Sequence, residues 1–220
     1  MDFSNYQFRC SQLPLLMTKS KKAGELSETV KTVLQEIWIK EIYFREKIIT
    51  SKYLEKGINQ EDKSIELYNE YSQTFTTKNS QKFFGEYLVG TPDIIRENSV
   101  DDIKTCWDIW SFSKKSYDTA KKDYYYQLLA YMILTERQEA SIVYCLLNNS
   151  EEIITKESWG MNEAQIAQVR YNNTYDDIPV HDKVKVFHFS YDKDEVAAVY
   201  AQLDLCREYL KNIKYESFNQ

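Results

Sequence analysis

Gly90-Thr91-Pro92-Asp93, followed by Val100-Asp101-Asp102-Ile103-Lys104, is the stretch on which the reading of this chain turns. Tyr87 and Val89 alternate around Leu88, and Val100, Ile103 and Trp107 follow the polar run Arg96-Glu97-Asn98-Ser99. The pattern predicts two strands joined as a hairpin within residues 83–110. Side chains two apart on a strand share a face, which puts Asp102 and Lys104 together and Ile103 on the other side. The hairpin then brings Asp93, at the end of the first strand, back beside them, and Gly90 and Pro92 suit a sharp approach there. An aspartate followed some way on by Asp-x-Lys arises by accident in a chain this acidic, so the weight lies in the context.

Working outward, Gly57-Ile58-Asn59-Gln60-Glu61 lies upstream, where a helix is predicted from about Asp62 to Tyr71 with Gly57 marking the break before it. Alone, Glu61 reads as a surface glutamate favoured by the dipole of a helix N-terminus. Downstream, residues 118–136 form a helix too apolar for a surface position. Gln127 and Tyr131 stand four apart on it and face the same way. A buried helix with a satisfied polar pair would look the same. Three carboxylates, a lysine and a glutamine in this order suit hydrolysis of a phosphodiester. That reaction needs carboxylates to hold a divalent ion and a cation near the attacking water and the phosphate charge.

The remaining elements define the fold class. Ser27 is placed to cap a helix carrying Val30, Val33, Leu34, Ile37, Trp38 and Ile42 at helical spacing. Ser141 to Leu147 reads as a buried strand and Lys183 to Phe189 as another. Asp192 caps a terminal helix with Val196, Val199, Leu203, Cys206 and Leu210 on one face. The expectation is one domain over residues 1–220 of α/β class, a central mixed sheet flanked by helices. Within it, 1–80 is mostly helical, 83–147 forms the core, 148–182 is a polar insertion, lid or long loop, and 183–220 adds a strand and helix.

Composition bounds the rest. The 220 residues, with 43% hydrophobic and 28% charged, describe a globular chain able to bury a substantial core. A net charge of −6 argues against a general polyanion binder, although a carboxylate site adds to the acidic count and a local basic groove can still track phosphates. Lys19, Lys21, Lys22, Lys114, Lys115, Lys121 and Lys122 are candidates for such a groove, or simply a solvated surface. Cys10, Cys106, Cys145 and Cys206 are too scattered for a zinc ribbon or a disulfide framework, which favours reduced thiols and a cytosolic compartment. No signal pattern and no apolar run of membrane-spanning length is apparent. His181 and His188 lack a partner at ligand spacing; Glu86 and Asp108 lie near the motifs, where support of the site and ordinary strand-end polarity account for them equally well, and for Trp107 and Trp110 core packing outweighs stacking on a base.

Gly57 with Glu61, Gly90 to Asp93, Asp102-Ile103-Lys104, and Gln127 with Tyr131 stand in an order and at distances that resemble the PD-(D/E)xK nuclease superfamily. The nearest branches are the RecB-like and phage λ exonuclease-like ones, including the YqaJ-type recombinases. The resemblance covers about residues 55–147 and implies a restriction-endonuclease-like core. It implies that Glu61, Asp93, Asp102 and the Ile103 carbonyl hold Mg²⁺ or Mn²⁺, and that Lys104 polarises the attacking water. Gln127 would sit beside the lysine and the phosphate, with Tyr131 supporting it. Arg9, Ser11, Lys19, Lys21 and Lys22 resemble the N-terminal stretch through which λ-type exonucleases hold a 5′-phosphate end. The implied activity is exonucleolytic hydrolysis of DNA, in phage-type recombination or DNA-end processing. A single-strand annealing protein is the implied partner and the host cytoplasm the implied setting. Homo-oligomerisation stays open. Two other readings stand beside this one: a nuclease-derived module that binds nucleic acid or protein without cutting, and a sequence-specific endonuclease, for which only 148–182 offers a base-reading segment.

Overall fold

The computed structural model describes residues 2–22, 24–48 and 51–213, the side chains of residues 53 and 54 excepted. In chain order, β1 (Phe8–Arg9) leads through a short helical turn to α1 (Leu13–Leu16), α2 (Glu28–Tyr43) and α3 (Lys52–Ser72). Four strands follow: β2 (Phe83–Phe84), β3 (Leu88–Gly90), β4 (Ile94–Ile95) and β5 (Ser99–Cys106). Then come α4 (Ile109–Ser113), α5 (Tyr117–Thr135) and β6 (Glu139–Leu146). The chain closes with α6 (Glu151–Glu157), α7 (Glu163–Asn173), β7 (Val184–Ser190) and α8 (Lys193–Asn212). Residues 214–220 of the expected terminal segment lie outside the described residues.

The expected mixed sheet is present, in the order β4-β5-β6-β7. Its outer pairs are antiparallel and its central pair, β5 with β6, is parallel, with Asp102 opposite Ile142 and Lys104 opposite Tyr144. Helices cover both faces, so β6 buries both sets of its side chains. Ala140, Ile142, Tyr144 and Leu146 join the larger core with Leu128, Leu129 and Met132 of α5. Val143 and Cys145 join a second core with Ile65, Leu67 and Tyr68 of α3. That two-sided burial is why this strand reads as a continuous apolar run.

Three sequence expectations need correction. The two predicted strands around Asp93 do not form one hairpin. β3 belongs to a separate three-stranded sheet, β1-β3-β2, in which β1 runs parallel and β2 antiparallel to it. The hairpin is β4 with β5, Ile94 opposite Asp101, and Asp93 sits just ahead of its first residue. Residues 148–182 are not a loop: α6 and α7 lie there, capped by Ser150 and Asn162, whose side chains accept from Ile153 and Gln165 N–H groups.

Gly57 is the third correction. It lies inside α3 rather than before it. The helix continues through it because neighbouring residues are anchored from outside. The Lys56 ammonium donates to the carbonyls of Trp107 and Leu147 at 2.9 and 2.8 Å, and the Gln60 amide donates to that of Asn148 at 2.8 Å. A Cβ on Gly57 would meet nothing within 4 Å. A Cβ on Gly90 would meet Cys10 Sγ at 2.5 Å and Tyr131 Cε1 at 2.9 Å, so here glycine is required by close approach. Opposite outcomes are expected from the same substitution. Gly57→Ala should stabilise the chain by about 0.5–1 kcal/mol by helix propensity. Gly90→Ala should destabilise it by about 1–3 kcal/mol through overpacking. Urea denaturation of both variants checks this, and shifts of the same sign would contradict it.

Candidate active site

β5 carries two adjacent buried aspartates, each 2% exposed, and the pleat sends them to opposite faces. Asp101 turns toward α3, where Arg96 Nε pairs with its Oδ2 at 2.8 Å and the Tyr68 hydroxyl donates to the same oxygen at 3.4 Å. It is a structural anchor. Asp102 turns toward α5. Its Oδ1 accepts from Gln127 Nε2 at 3.0 Å, and Gln127 Nε2 also donates to the Tyr131 hydroxyl at 3.2 Å. The Gln127 and Tyr131 pair therefore faces Asp102, as their spacing on the helix predicts.

Lys104 stands two residues along the same face, its Nζ 2.7 Å from Asp102 Oδ2 and 5.2 Å from the centre of the Tyr124 ring. Burial pulls the pKa of this ammonium down, but the charge and proximity of Asp102 outweigh it, and the net shift is upward. Lys104 is held as a cation. The ammonium thus occupies the second oxygen of Asp102, as Gln127 occupies the first.

Asp93 reaches β5 at its open edge. Its Oδ2 accepts from the Ile103 N–H at 2.7 Å. The N–H and C=O of one residue in an extended strand point to the same edge, so the Ile103 carbonyl is directed to the side where Asp93 lies. Burial, and then the charge of Asp102, raise the Asp93 carboxyl to about 7; the more distant Glu61 adds to the same effect. The Ile103 side chain packs away from this site, 6% exposed, in the core beneath α3.

Glu61 projects from within α3 and is partnered by Lys78, with Nζ 3.0 Å from Oε2. Among the described residues, no three side chains of His, Cys, Asp or Glu are drawn together as a ready metal cage. Each of the three carboxylates has another partner: Lys104 holds Asp102, Lys78 holds Glu61, and a backbone N–H holds Asp93. The donor set nevertheless fits a hard divalent ion. It offers carboxylate oxygens and a carbonyl, and an Asp93 whose charged form is penalised until positive charge arrives.

The N-terminal candidates separate. Arg9 and Ser11 line a cleft of about 180 Å³ together with Lys82, Gly90, Thr91 and Tyr131. Lys19, Lys21 and Lys22 do not line it. α1 buries Leu13 and Leu16 in the core and carries the chain past the cleft, and Lys22 pairs instead with Glu25 at 3.8 Å. Lys82 and Thr91 take the expected place of those lysines. The other tempting residues have ordinary partners: Asp108 caps α4, the His188 ring shares a hydrogen bond with Ser141 at 3.0 Å, and His181 lies 3.4 Å from Asp182. The neighbours Lys78, Lys82 and Tyr124 were not legible from sequence, because nothing local marks which side chain of a loop or a crowded helix comes to lie beside a carboxylate, a cleft or a lysine.

No protein-family profile and no curated protein matches this chain. Solved structures do. A phage-related exonuclease from Haemophilus somnus 129PT superposes with a TM-score of 0.80 at 22% identity, over 94% of both chains. An alkaline exonuclease, LHK-Exo, from Laribacter hongkongensis superposes with a TM-score of 0.63 at 13% identity, over 93% of this chain and 88% of that one. Its complex with dAMP gives 0.62. The chain is thus an α/β protein with the fold of these exonucleases.

The hydrogen bond at Asp102 makes a separable prediction. Gln127→Leu removes the donor to a buried acceptor and should cost about 1–3 kcal/mol of stability in EDTA. Tyr131→Phe keeps the ring against Gly90 and should cost less, about 0.5–1.5 kcal/mol. Chemical denaturation of both variants tests the ranking; the reverse order would refute the assignment of Gln127 as the group that holds Asp102.

Proposed function

We propose that this protein is a metal-dependent DNA exonuclease acting in phage-type recombination or DNA-end processing. The observation that supports this most is the convergence on β5: Asp102 and Lys104 share one face, and Asp93 closes on the backbone of Ile103 between them, in a chain with an exonuclease fold. A divalent ion, Mg²⁺ or Mn²⁺, bound by Glu61, Asp93, Asp102 and the Ile103 carbonyl would supply Lewis acidity to the scissile phosphate and to the attacking water.

The chain's own groups do the remainder. Gln127 fixes Asp102 through one oxygen and Lys104 pairs with the other, while Tyr131 holds the amide of Gln127. Lys104, kept protonated by Asp102, has ammonium donors with which to orient the water and to offset charge developing on the phosphate. Its protonation favours a positioning and electrostatic role over that of a general base. The cleft with Arg9, Ser11 and Lys82 offers a guanidinium, a hydroxyl and an ammonium, the groups suited to a terminal 5′-phosphate. The products of exonucleolytic action would be deoxynucleoside monophosphates, the class to which dAMP, bound in one of the similar structures, belongs. A single-strand annealing protein as partner and action in the host cytoplasm complete the reading; no helix among the described residues is long and apolar enough to cross a membrane.

Cleavage of linear DNA should require Mg²⁺ or Mn²⁺ and stop with EDTA; no cutting of any DNA form with either ion would favour a non-cleaving binding module. Two variants distinguish ligand from cation. Asp102→Ala should lose both activity and metal affinity. Lys104→Ala should lose roughly a hundred- to a thousand-fold in activity while still binding Mn²⁺ in calorimetric titration, since a lysine supplies no ligand oxygen. Near-unchanged turnover of the Lys104 variant would overturn its role.

End recognition has its own test. A 5′-phosphorylated linear duplex should be degraded faster than its 5′-hydroxyl counterpart, covalently closed circles should survive, and Arg9→Ala should narrow the difference while sparing metal binding. Equal rates on all three substrates would sink the end-binding cleft and favour an endonuclease.

A further inference from the structure

The segment between α3 and β2 is fixed at two points. Asn69 of α3 holds Thr76 through three hydrogen bonds: the Thr76 N–H and hydroxyl donate to its Oδ1 at 3.0 and 2.6 Å, and its Nδ2 donates to the Thr76 carbonyl at 2.8 Å. Asn79 holds the turn before β4: its N–H donates to the Asp93 carbonyl at 2.7 Å and its Nδ2 to that of Pro92 at 2.9 Å. Lys78 lies between these anchors. Its backbone is pinned beside the Asp93 turn, while its half-exposed side chain reaches Glu61 Oε2 at 3.0 Å and Asp62 Oδ1 at 4.0 Å.

The carboxylate that Lys78 occupies is one that the proposed metal site needs. A divalent ion on Glu61 would compete with the exposed Lys78 ammonium for the same oxygen and repel it. The ammonium is the mobile partner, a point charge on a flexible four-carbon stem, and the pinned backbone keeps it at the rim of the site. The negative charge that arrives there with substrate is a backbone phosphate. We propose that Lys78 is an exchangeable counter-cation: it holds Glu61 in the metal-free protein, yields it to the divalent ion, and passes to a phosphate of the DNA. This rests on the nuclease reading of the site and assigns a residue that the reading does not require.

Calorimetric titration of Mn²⁺ into the full chain tests the exchange without reference to cleavage. Lys78→Met should bind Mn²⁺ about two- to five-fold tighter than the wild type, the worth of one exposed ion pair. The gain should vanish when the same substitution is made in a Glu61→Gln background, and Lys78→Arg should retain wild-type affinity. Binding to a linear duplex with Ca²⁺ in place of Mn²⁺ should show a salt dependence shallower by about one ion in Lys78→Met. Mn²⁺ binding that is unchanged or weaker in Lys78→Met, in a protein that binds and cleaves normally as wild type, overturns the exchange alone. An unchanged salt slope overturns the phosphate step. A wild type that takes up no Mn²⁺ overturns this inference together with the metal-site reading.

Discussion

β4 begins only at Ile94, opposite Asp101, and the open edge this leaves on β5 beyond that pair is the constraint on which the site depends. Continued in register, the ladder would have set Pro92 opposite Ile103 and satisfied its N–H with a strand carbonyl. Instead Asp93 satisfies it with a carboxylate. A backbone donor at a sheet interior cannot be left unpaired without cost, so the chain must bring some acceptor to this position. The acceptor it brings is charged, and it lies beside a second carboxylate on the same strand. The backbone pattern of the sheet thus forces two like charges into a partly buried corner, and the surrounding side chains are arranged around that conflict.

Charge balance follows from it. Asp102 is buried with two partners, one neutral and one cationic, while Asp93 has a single backbone donor and is raised toward neutrality. Had both been paired with arginines, as Asp101 is with Arg96, the corner would be electrostatically complete and inert. The difference between Asp101 and Asp102 is instructive, since both are equally buried on neighbouring positions. Asp101 is saturated by a guanidinium and a tyrosine hydroxyl and fastens α3 to the β4–β5 hairpin. Asp102 is held instead by a neutral amide and by a lysine ammonium, a point charge on a flexible stem rather than a fixed guanidinium.

What could be read from the sequence divides along physical lines. Period-two placement of Asp102 and Lys104, period-four placement of Gln127 and Tyr131, and the caps at Ser27 and Asp192 depend on short-range geometry, and each is found where the spacing put it. The α/β class and the mixed sheet followed from the order of elements. Errors arose where distant contacts overrule local preference. Gly57 looked like a boundary because glycine disfavours helix interiors, yet Lys56 and Gln60 tie the helix to three carbonyls from the ends of β5 and β6. β3 looked like the first arm of a hairpin because its true partners, β1 and β2, are each two residues long and carry no recognisable pattern. Proximity in sequence likewise does not reveal that Lys82, ahead of β2, lines the cleft with Arg9 and Ser11 while Lys19, Lys21 and Lys22, beyond α1, do not.

Tyr131 connects the two halves of the proposed machinery. Its hydroxyl belongs to the carboxylate network through Gln127, while its ring edge lies against the backbone at Gly90 and lines the cleft that holds Arg9 and Ser11. Cys10, between those two residues, packs against the same glycine, so the N-terminal turn, β3 and α5 meet at one point where only a missing side chain allows contact. A closely packed junction of this kind transmits displacement instead of absorbing it. On the proposed reading, a strand end in the cleft and Asp102 at the carboxylate corner would both take their position from one side chain. Register between the grip on a terminus and the bond to be cut would follow from that shared reference, without any need for a moving part.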